Sequence, residues 1–188
     1  MNVISNTCVG AYIMRDCLHH QYENPFCWNI IDPISMYNLI ISYDTLNFWN
    51  WKLRKDDKWN FSIVIDDRVV VKYVHYHFSP NDATIRTDGV DVFYQKIWEY
   101  VVAKYVCRLK RMKSSPVFVI ATSYPDDYFS KEDIERICSI RTNYKIIINN
   151  NNINLDKHYD NIVFDSAHFY LDNFALAKHL TPLLGGDK

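Results

Sequence analysis

Short runs of apolar residues alternate along this chain with segments whose apolar residues recur at helical spacing. The runs are rich in β-branched residues and predict buried strands; they span residues 3–5, 117–121, 144–148 and 161–164. Because strand and helix alternate, the pattern is typical of an α/β sandwich with a mainly parallel sheet.

Capping residues indicate where several helices begin. Asp32 followed by Pro33 predicts a helix start, and Ser130 with Asp133 predicts a capping pair. The predicted helices begin after Asn6 or Thr7, at Pro33 and after Ser130, and also cover residues 91–112 and 173–184, with Gly185 closing the last one.

A hairpin adds to this alternating plan. Residues 61–65 and 69–78 are rich in β-branched and aromatic residues, and a polar turn at residues 66–68 separates them. The length of 188 residues fits one domain, and we find no repeat or linker. We therefore predict a single α/β domain over residues 1–188, a three-layer sandwich with a mainly parallel central sheet and a β-hairpin insertion.

Composition narrows the class of protein. The net charge of -1 gives no bulk attraction to nucleic acid, and four glycines are too few for the known glycine-rich phosphate loops. We expect neither a secretion signal nor a membrane span, since the apolar runs are short. Five cysteines, an odd number, favour a reducing compartment, so the expected location is the cytoplasm.

Cys8 is the first candidate for chemistry. It directly follows the first predicted strand, and ligands of parallel α/β sheets bind beyond the carboxyl ends of the strands. A thiol at a helix start feels the helix dipole, which favours the nucleophilic thiolate. Backbone N–H groups around Asn6, Cys8 and Val9 are the expected oxyanion donors. The alternative is a small buried residue at a tight turn.

Asp165 and His168 follow the last predicted strand and precede the last helix. An Asp in this position can accept a hydrogen bond from one ring nitrogen and leave the other facing a nucleophile. The alternative is that Asp165 only caps a turn and that His168 lies on the surface. The combination resembles the SGNH hydrolase and acyltransferase superfamily, with Cys8 in place of the nucleophilic serine. The Gly-Asp-Ser and Gly-x-Asn-Asp blocks of that superfamily have no counterpart here.

A second resemblance covers about two thirds of the chain. Segments such as VISNTCVGAYI, YENPFCWNIIDPISMYNLIISYDTLNF and VHYHF are similar to uncharacterised bacterial proteins of exopolysaccharide biosynthesis, and to a group described as papain-like cysteine peptidases. This resemblance draws attention to Asn24 and Trp28, and to His75 and His77. In a strand these two histidines share a face, so His77 is the alternative partner of Cys8. A third metal ligand at suitable spacing is missing, so no metal is predicted.

A basic cluster ends the long helix. Arg108 and Arg111 lie three apart and share a helix face. Positive charges at the end of a helix offset the helix dipole, which is one interpretation of these arginines. The alternative is that they bind the phosphates of a donor such as coenzyme A, or an acidic glycan. Together with Asn24 and Trp28, they are the predicted substrate-binding residues.

These features predict a cysteine-dependent acyltransferase or esterase that acts on a surface or capsular polysaccharide or its precursor. Cys8 is the expected nucleophile, His168 the base and Asp165 the group that orients it. No cofactor is required, although acyl-coenzyme A is a possible donor, and the expected partner is a carbohydrate. Two alternatives stay open: a non-catalytic glycan-binding or assembly factor, which would use exposed tryptophans such as Trp49, and a papain-like hydrolase using Cys8 and His77.

Overall fold

A computed structural model describes residues 1–19, 24–27, 29–56, 61–73, 90–112, 115–122, 129–150, 159–167 and 172–185. These residues form a mixed α/β fold with two four-stranded sheets, one parallel and one antiparallel. The eight strands are β1 (Asn2–Ser5), β2 (Asn29–Ile31), β3 (Trp51–Lys55), β4 (Phe61–Ile65), β5 (Val69–Tyr73), β6 (Pro116–Ala121), β7 (Lys145–Asn149) and β8 (Ile162–Asp165).

The parallel sheet has the order β1-β6-β7-β8. Its four strands coincide with the four apolar runs of the sequence to within one residue at each end. Ile4 pairs with Phe118, and Ile148 pairs with Phe164. Both central strands are buried almost throughout, as expected for a parallel sheet that is covered on both faces. The predicted mainly parallel sheet is therefore confirmed.

The antiparallel sheet has the order β2-β5-β4-β3. Its β4–β5 hairpin confirms the predicted one through Tyr73, whereas residues 74–78 lie outside the described residues. Strands β2 and β3 were not predicted. Strand β2 has only three residues, and β3 has the sequence WKLRK, in which charged side chains obscure the apolar alternation. The hairpin thus belongs to a second sheet.

The helices largely follow the capping signals. They are α1 (Val9–Tyr12), α2 (Pro33–Ser42), α3 (Val90–Arg111), α4 (Lys131–Cys138) and α5 (Asn173–Leu180), with a π-helical turn at Ile13–Cys17 and a 3-10 turn at Thr181–Leu184. Asp32 Oδ1 accepts a hydrogen bond from the Ser35 N–H at 2.9 Å, and Ser130 forms a reciprocal capping box with Asp133. None of these helices combines the length and hydropathy that crossing a bilayer requires.

The two faces of the parallel sheet contact different hydrophobic clusters. On one face, Val3, Val119 and Ile147 pack with α1 and α5. On the other face, Phe118 and Ile148 pack with the antiparallel sheet and with residues of α2, α3 and α4. Successive side chains of each strand therefore point to opposite faces of the sheet, as in any β-strand.

Helix α1 departs from its predicted start. Cys8 itself, rather than Asn6 or Thr7, occupies the N-cap position, and it has helical backbone angles and no side-chain capping bond. After Tyr12 the helix widens into the π turn, where the Leu18 N–H donates to the Ile13 carbonyl at 2.9 Å. Single π turns often occur near functional sites. Cys8 therefore begins a helix whose second half has an unusual shape.

Gly10 allows α1 to approach β1 closely. A Cβ atom at this position would lie 2.8 Å from the Ser5 Cβ and 3.2 Å from the Ser5 backbone nitrogen, closer than real Cβ atoms come. Since Cys8 lies two residues before Gly10, the contact also fixes the position of the thiol-bearing turn.

We expect Gly10→Ala to lower the free energy of unfolding by about 1–3 kcal/mol, because the methyl group forces α1 away from β1. Helix propensity alone predicts the opposite sign, a gain of up to about 1 kcal/mol. Urea unfolding of both proteins checks the prediction. A variant that is more stable than the original protein would contradict the close contact.

Candidate functional site

Polar residues gather where the parallel strands end. Asn6, Thr7 and Cys8 follow β1, Thr122 follows β6, and Asn149 and Asp165 end β7 and β8. Parallel α/β sheets bind their ligands at this carboxyl edge. We therefore take it as the candidate site.

The Asn6 side chain joins the ends of β1 and β6. Its Nδ2 donates to the Ala121 carbonyl at 2.9 Å, and its Oδ1 accepts from the Ala121 N–H at 2.8 Å. The main-chain carbonyl of Asn6 accepts a hydrogen bond from the Ile31 N–H at 3.0 Å, and this bond links the parallel sheet to the antiparallel one. Asn6 is 1% exposed. Although it was predicted near the oxyanion site, its contacts here fix the backbone.

Cys8 lies, partly exposed, at the junction of β1 and α1. Its carbonyl accepts from the Ala11 and Tyr12 N–H groups at 3.0 and 3.2 Å. The Val9 N–H, an expected oxyanion donor, donates to Thr7 Oγ1 at 3.3 Å. Cys8 is therefore a partly exposed residue at the carboxyl edge, and the neighbouring amide has an intramolecular acceptor.

Asp165 lies beside Asn149 in the sheet register, and its carboxylate has two partners. Oδ1 is 2.8 Å from His179 Nε2, and Oδ2 accepts a short hydrogen bond from Asn149 Nδ2. The same Asn149 amide donates to the Ala167 carbonyl at 2.9 Å. Since Asn149 is fully buried, it holds the Asp165 carboxylate in one orientation.

His179 is a partner of Asp165 that the sequence analysis missed. It lies on α5, 14 residues after Asp165, and its side chain is 38% exposed. Only the packing of α5 against the sheet brings the two together, and no local motif signals such a pair. The carboxylate orients this imidazole in the way that the prediction assigned to His168.

His179 faces away from α1. Five residues separate it from Phe174, which places the two side chains about 140° apart around α5. The buried residues Leu176 and Leu180 lie between them on the inward side. Because the Phe174 ring contacts Tyr12 of α1 at 5.9 Å, His179 lies on the opposite flank of α5. The geometry thus pairs His179 with Asp165 but does not direct it toward Cys8.

Several predicted site residues lie outside the described residues: His168, His75, His77 and Trp28. Asn24 is described and buried, and its amide serves the backbone. Its Nδ2 donates to the Val3 carbonyl at 2.6 Å and its Oδ1 accepts from the Phe26 N–H at 2.9 Å. The Asn24 side chain therefore bonds to β1 and to its own turn, and its role in substrate binding stays a prediction.

The two arginines at the end of α3 differ in environment. Arg108 is partly buried, and its Nη1 donates to the Cys27 carbonyl at 3.2 Å, which ties α3 to the turn at residues 24–27. Arg111 is exposed. Within the described part of the chain, no three His, Cys, Asp or Glu side chains converge as metal ligands.

The opposite, amino-terminal edge of the sheet holds a cleft of about 860 Å³ around the loop between α4 and β7. A second cleft of about 550 Å³ shares this loop and contains Tyr43 and Tyr144. Burial raises the pKa of Tyr43 to about 12, and burial together with the hydrogen bond to Asp44 raises the pKa of Tyr144. The predicted catalytic residues within the described regions lie at the other edge.

Comparison of the chain with protein-family models, with curated proteins and with solved structures gave no match. The geometry and chemistry of the chain itself therefore carry the functional argument.

We expect Asn149→Ala to lower the free energy of unfolding by about 2–3 kcal/mol, because the Asp165 carboxylate and the Ala167 carbonyl both lose a buried donor. The control is Asn143→Ala, an exposed asparagine on the α4–β7 loop, which should change stability by less than about 0.5 kcal/mol. Urea unfolding measures both. Equal effects of the two substitutions would show that Asn149 does not organise the carboxyl edge.

Proposed function

We propose that the protein is a cysteine-dependent acyltransferase, or an esterase, that uses Cys8 as its nucleophile. The observation that supports this most is the position of Cys8, a partly exposed thiol at the junction of the first parallel strand and its helix. Thiols at such junctions feel the amide dipoles of the helix start, which favours the reactive thiolate.

The course of the chain after β8 supports His168 as the base. Ala167 lies at the β8 edge, where its carbonyl meets Asn149. The described chain resumes at Asp172, two residues before Phe174, whose ring contacts Tyr12 one turn beyond Cys8. In sequence, His168 lies between these two points. The described residues on either side therefore connect the Asp165 edge with the helix that begins at Cys8.

His168 is favoured over His179 because of the direction in which His179 faces. Three strand spacings separate β8 from β1, a distance of about 14 Å. His179 lies on the flank of α5 that faces away from α1, so it would have to cross α5 to reach the thiol. In the proposal, Asp165 orients His168, and the His179 and Asn149 contacts keep the carboxylate in place.

The proposed reaction has two steps. His168 takes the thiol proton as Cys8 Sγ bonds to the acyl carbon, and the bond to the leaving group breaks as that group takes the proton from the imidazolium. An acceptor hydroxyl then attacks the thioester, gives its proton to His168 and releases the sulfur. The Val9 N–H, whose bond to Thr7 Oγ1 is long at 3.3 Å, is a donor for which an oxyanion would compete successfully.

The order of elements supports an SGNH-like arrangement. Cys8 follows the first strand of the parallel sheet, and Asp165 ends the last strand, just before the final helix. We propose the three-layer form of that fold and, from the resemblance to exopolysaccharide-biosynthesis proteins, a polysaccharide or its precursor as acceptor. An acyl-coenzyme A donor is compatible with this chemistry. None of the five cysteines, all of them described, forms a disulfide, which supports a reducing compartment such as the cytoplasm.

A non-catalytic glycan-binding function is the second candidate. Trp49 is 57% exposed, and an exposed indole is a suitable platform for stacking on a sugar ring. This alternative requires no reactivity at Cys8, so the reactivity of the thiol separates the two functions.

We expect iodoacetamide to alkylate Cys8 at least about tenfold faster than Cys107, because an activated thiolate reacts faster than an ordinary thiol. Cys107 is the matched control, since it is exposed on a helix away from the site. Cys138 should be the slowest, because burial raises the pKa of its thiol to about 11. Peptide mapping by mass spectrometry gives the rate at each cysteine.

The same assay in histidine variants identifies the base. His168→Ala should slow the alkylation of Cys8 several-fold, and His179→Ala should slow it less, because Asn149 still holds the Asp165 carboxylate. His77→Ala should leave the rate unchanged. Loss of reactivity in His77→Ala alone would favour the papain-like pair. If Cys8 reacts no faster than Cys107 in the original protein, the enzyme proposal is wrong and the glycan-binding alternative gains support.

A further inference from the structure

A groove runs along the outer side of α1 and the π turn, beginning one helical turn beyond Cys8. The groove is shallow and widely open to solvent, and its volume is about 490 Å³. The residues that line it are Tyr12, Arg15, Asp16, His19 and Phe174. It lies on the flank of α5 that faces α1, opposite the Asp165–His179 pair.

Two aromatic rings form the centre of the groove. The Tyr12 and Phe174 centroids are 5.9 Å apart with an interplanar angle of 57°. Phe174 is 38% exposed although it is fully apolar, so part of its ring faces solvent. Exposed rings of this kind are platforms on which planar aromatic groups stack.

Cations lie directly against both rings. The Arg15 guanidinium is 5.7 Å from the Tyr12 centroid, and the Lys178 ammonium is 4.2 Å from the Phe174 centroid. Arg15 is held by Asp16, whereas the long, exposed Lys178 side chain can turn from the Phe174 ring toward a bound anion. The groove therefore combines stacking surfaces with movable positive charge.

The carboxylates near the groove are already compensated. Asp16 accepts two hydrogen bonds from Arg15, at 2.8 and 2.9 Å, and chiefly this contact lowers the pKa of its carboxyl group. Asp172 caps α5, where its Oδ1 accepts from the Phe174 and Ala175 N–H groups. Arg15 therefore neutralises Asp16, the Asp172 carboxylate is directed toward backbone amides, and Lys178 lies over the Phe174 ring.

We propose that this groove binds a mononucleotide, with the base against Tyr12 and Phe174 and the phosphate against Lys178. Size favours a nucleotide over a small aromatic acid, because the groove extends from Tyr12 past the whole π turn to His19. A base stacks on aromatic rings, and a phosphate suits arginine and lysine. The proposal is independent of acyl transfer at Cys8.

Titration calorimetry with adenosine 5′-monophosphate tests the proposal, with adenosine and inorganic phosphate as the two partial ligands. We expect the nucleotide to bind with a Kd below about 1 mM, and each partial ligand at least about tenfold more weakly. Phe174→Leu and Lys178→Gln should each weaken nucleotide binding at least about fivefold. Cys8→Ala should bind like the original protein, so failure of the catalytic proposal leaves this result unaffected.

Two matched controls exist in the same chain. Phe164 is also 38% exposed, and Arg136 lies 5.9 Å from the Tyr37 centroid in a cation–π pair like that of Arg15. Phe164→Leu and Arg136→Gln should leave nucleotide binding unchanged. Absence of binding at millimolar nucleotide, or equal weakening by the control and the groove variants, would overturn the proposal. Binding of phosphate as tight as that of the nucleotide would also overturn it, because the rings would then contribute nothing.

Discussion

The Asn6 side chain is the contact on which the arrangement of the carboxyl edge depends. The nitrogen and the oxygen of its side-chain amide both bond to the backbone of Ala121. The main-chain carbonyl of Asn6 accepts a hydrogen bond from the Ile31 N–H of the second sheet. One buried residue thus fixes the end of β1, the end of β6 and the junction of the two sheets. Because Cys8 comes two residues later, this contact and the close approach at Gly10 together set where the thiol lies.

Asn149 has a similar structural role at the ends of β7 and β8, on the other side of the sheet. It is fully buried and directs its amide to Asp165 and to the carbonyl of Ala167. A buried amide without these partners would be destabilising, because its desolvation would not be compensated. The hydrogen bonds therefore fix the orientation of the Asn149 side chain and of its partners. The carboxyl edge therefore has one asparagine at each side that orders the backbone, and the chemically reactive groups lie beside them.

Much of the fold was predictable because its signals are local. The apolar runs of the parallel sheet, the Asp32–Pro33 start of α2 and the Ser130–Asp133 capping box each lie within a few consecutive residues. The second sheet was only half predicted, because β2 is three residues long and depends on pairing with β5. The π turn after Tyr12 was also missed, since its sequence, IMRDC, contains no helix-breaking residue.

The candidate site was predicted in outline. Cys8 and Asp165 lie at the same edge of the sheet, as expected from their places after strands. The imidazole that contacts Asp165 among the described residues is that of His179, which tertiary packing supplies. Asn6 and Asn24 were expected near substrate, but both are buried and bond to the backbone. Short polar motifs do not reveal whether a buried amide serves a ligand or a neighbouring strand.

Formation of an acyl-cysteine tests the account most directly. The protein is incubated with p-nitrophenyl acetate, quenched in acid and mapped by mass spectrometry. The account predicts one acetyl group per chain, on Cys8, formed in an initial burst with one equivalent of p-nitrophenolate and absent from Cys8→Ala. Acetyl groups spread over exposed lysines and Cys107, with none enriched on Cys8, would contradict it.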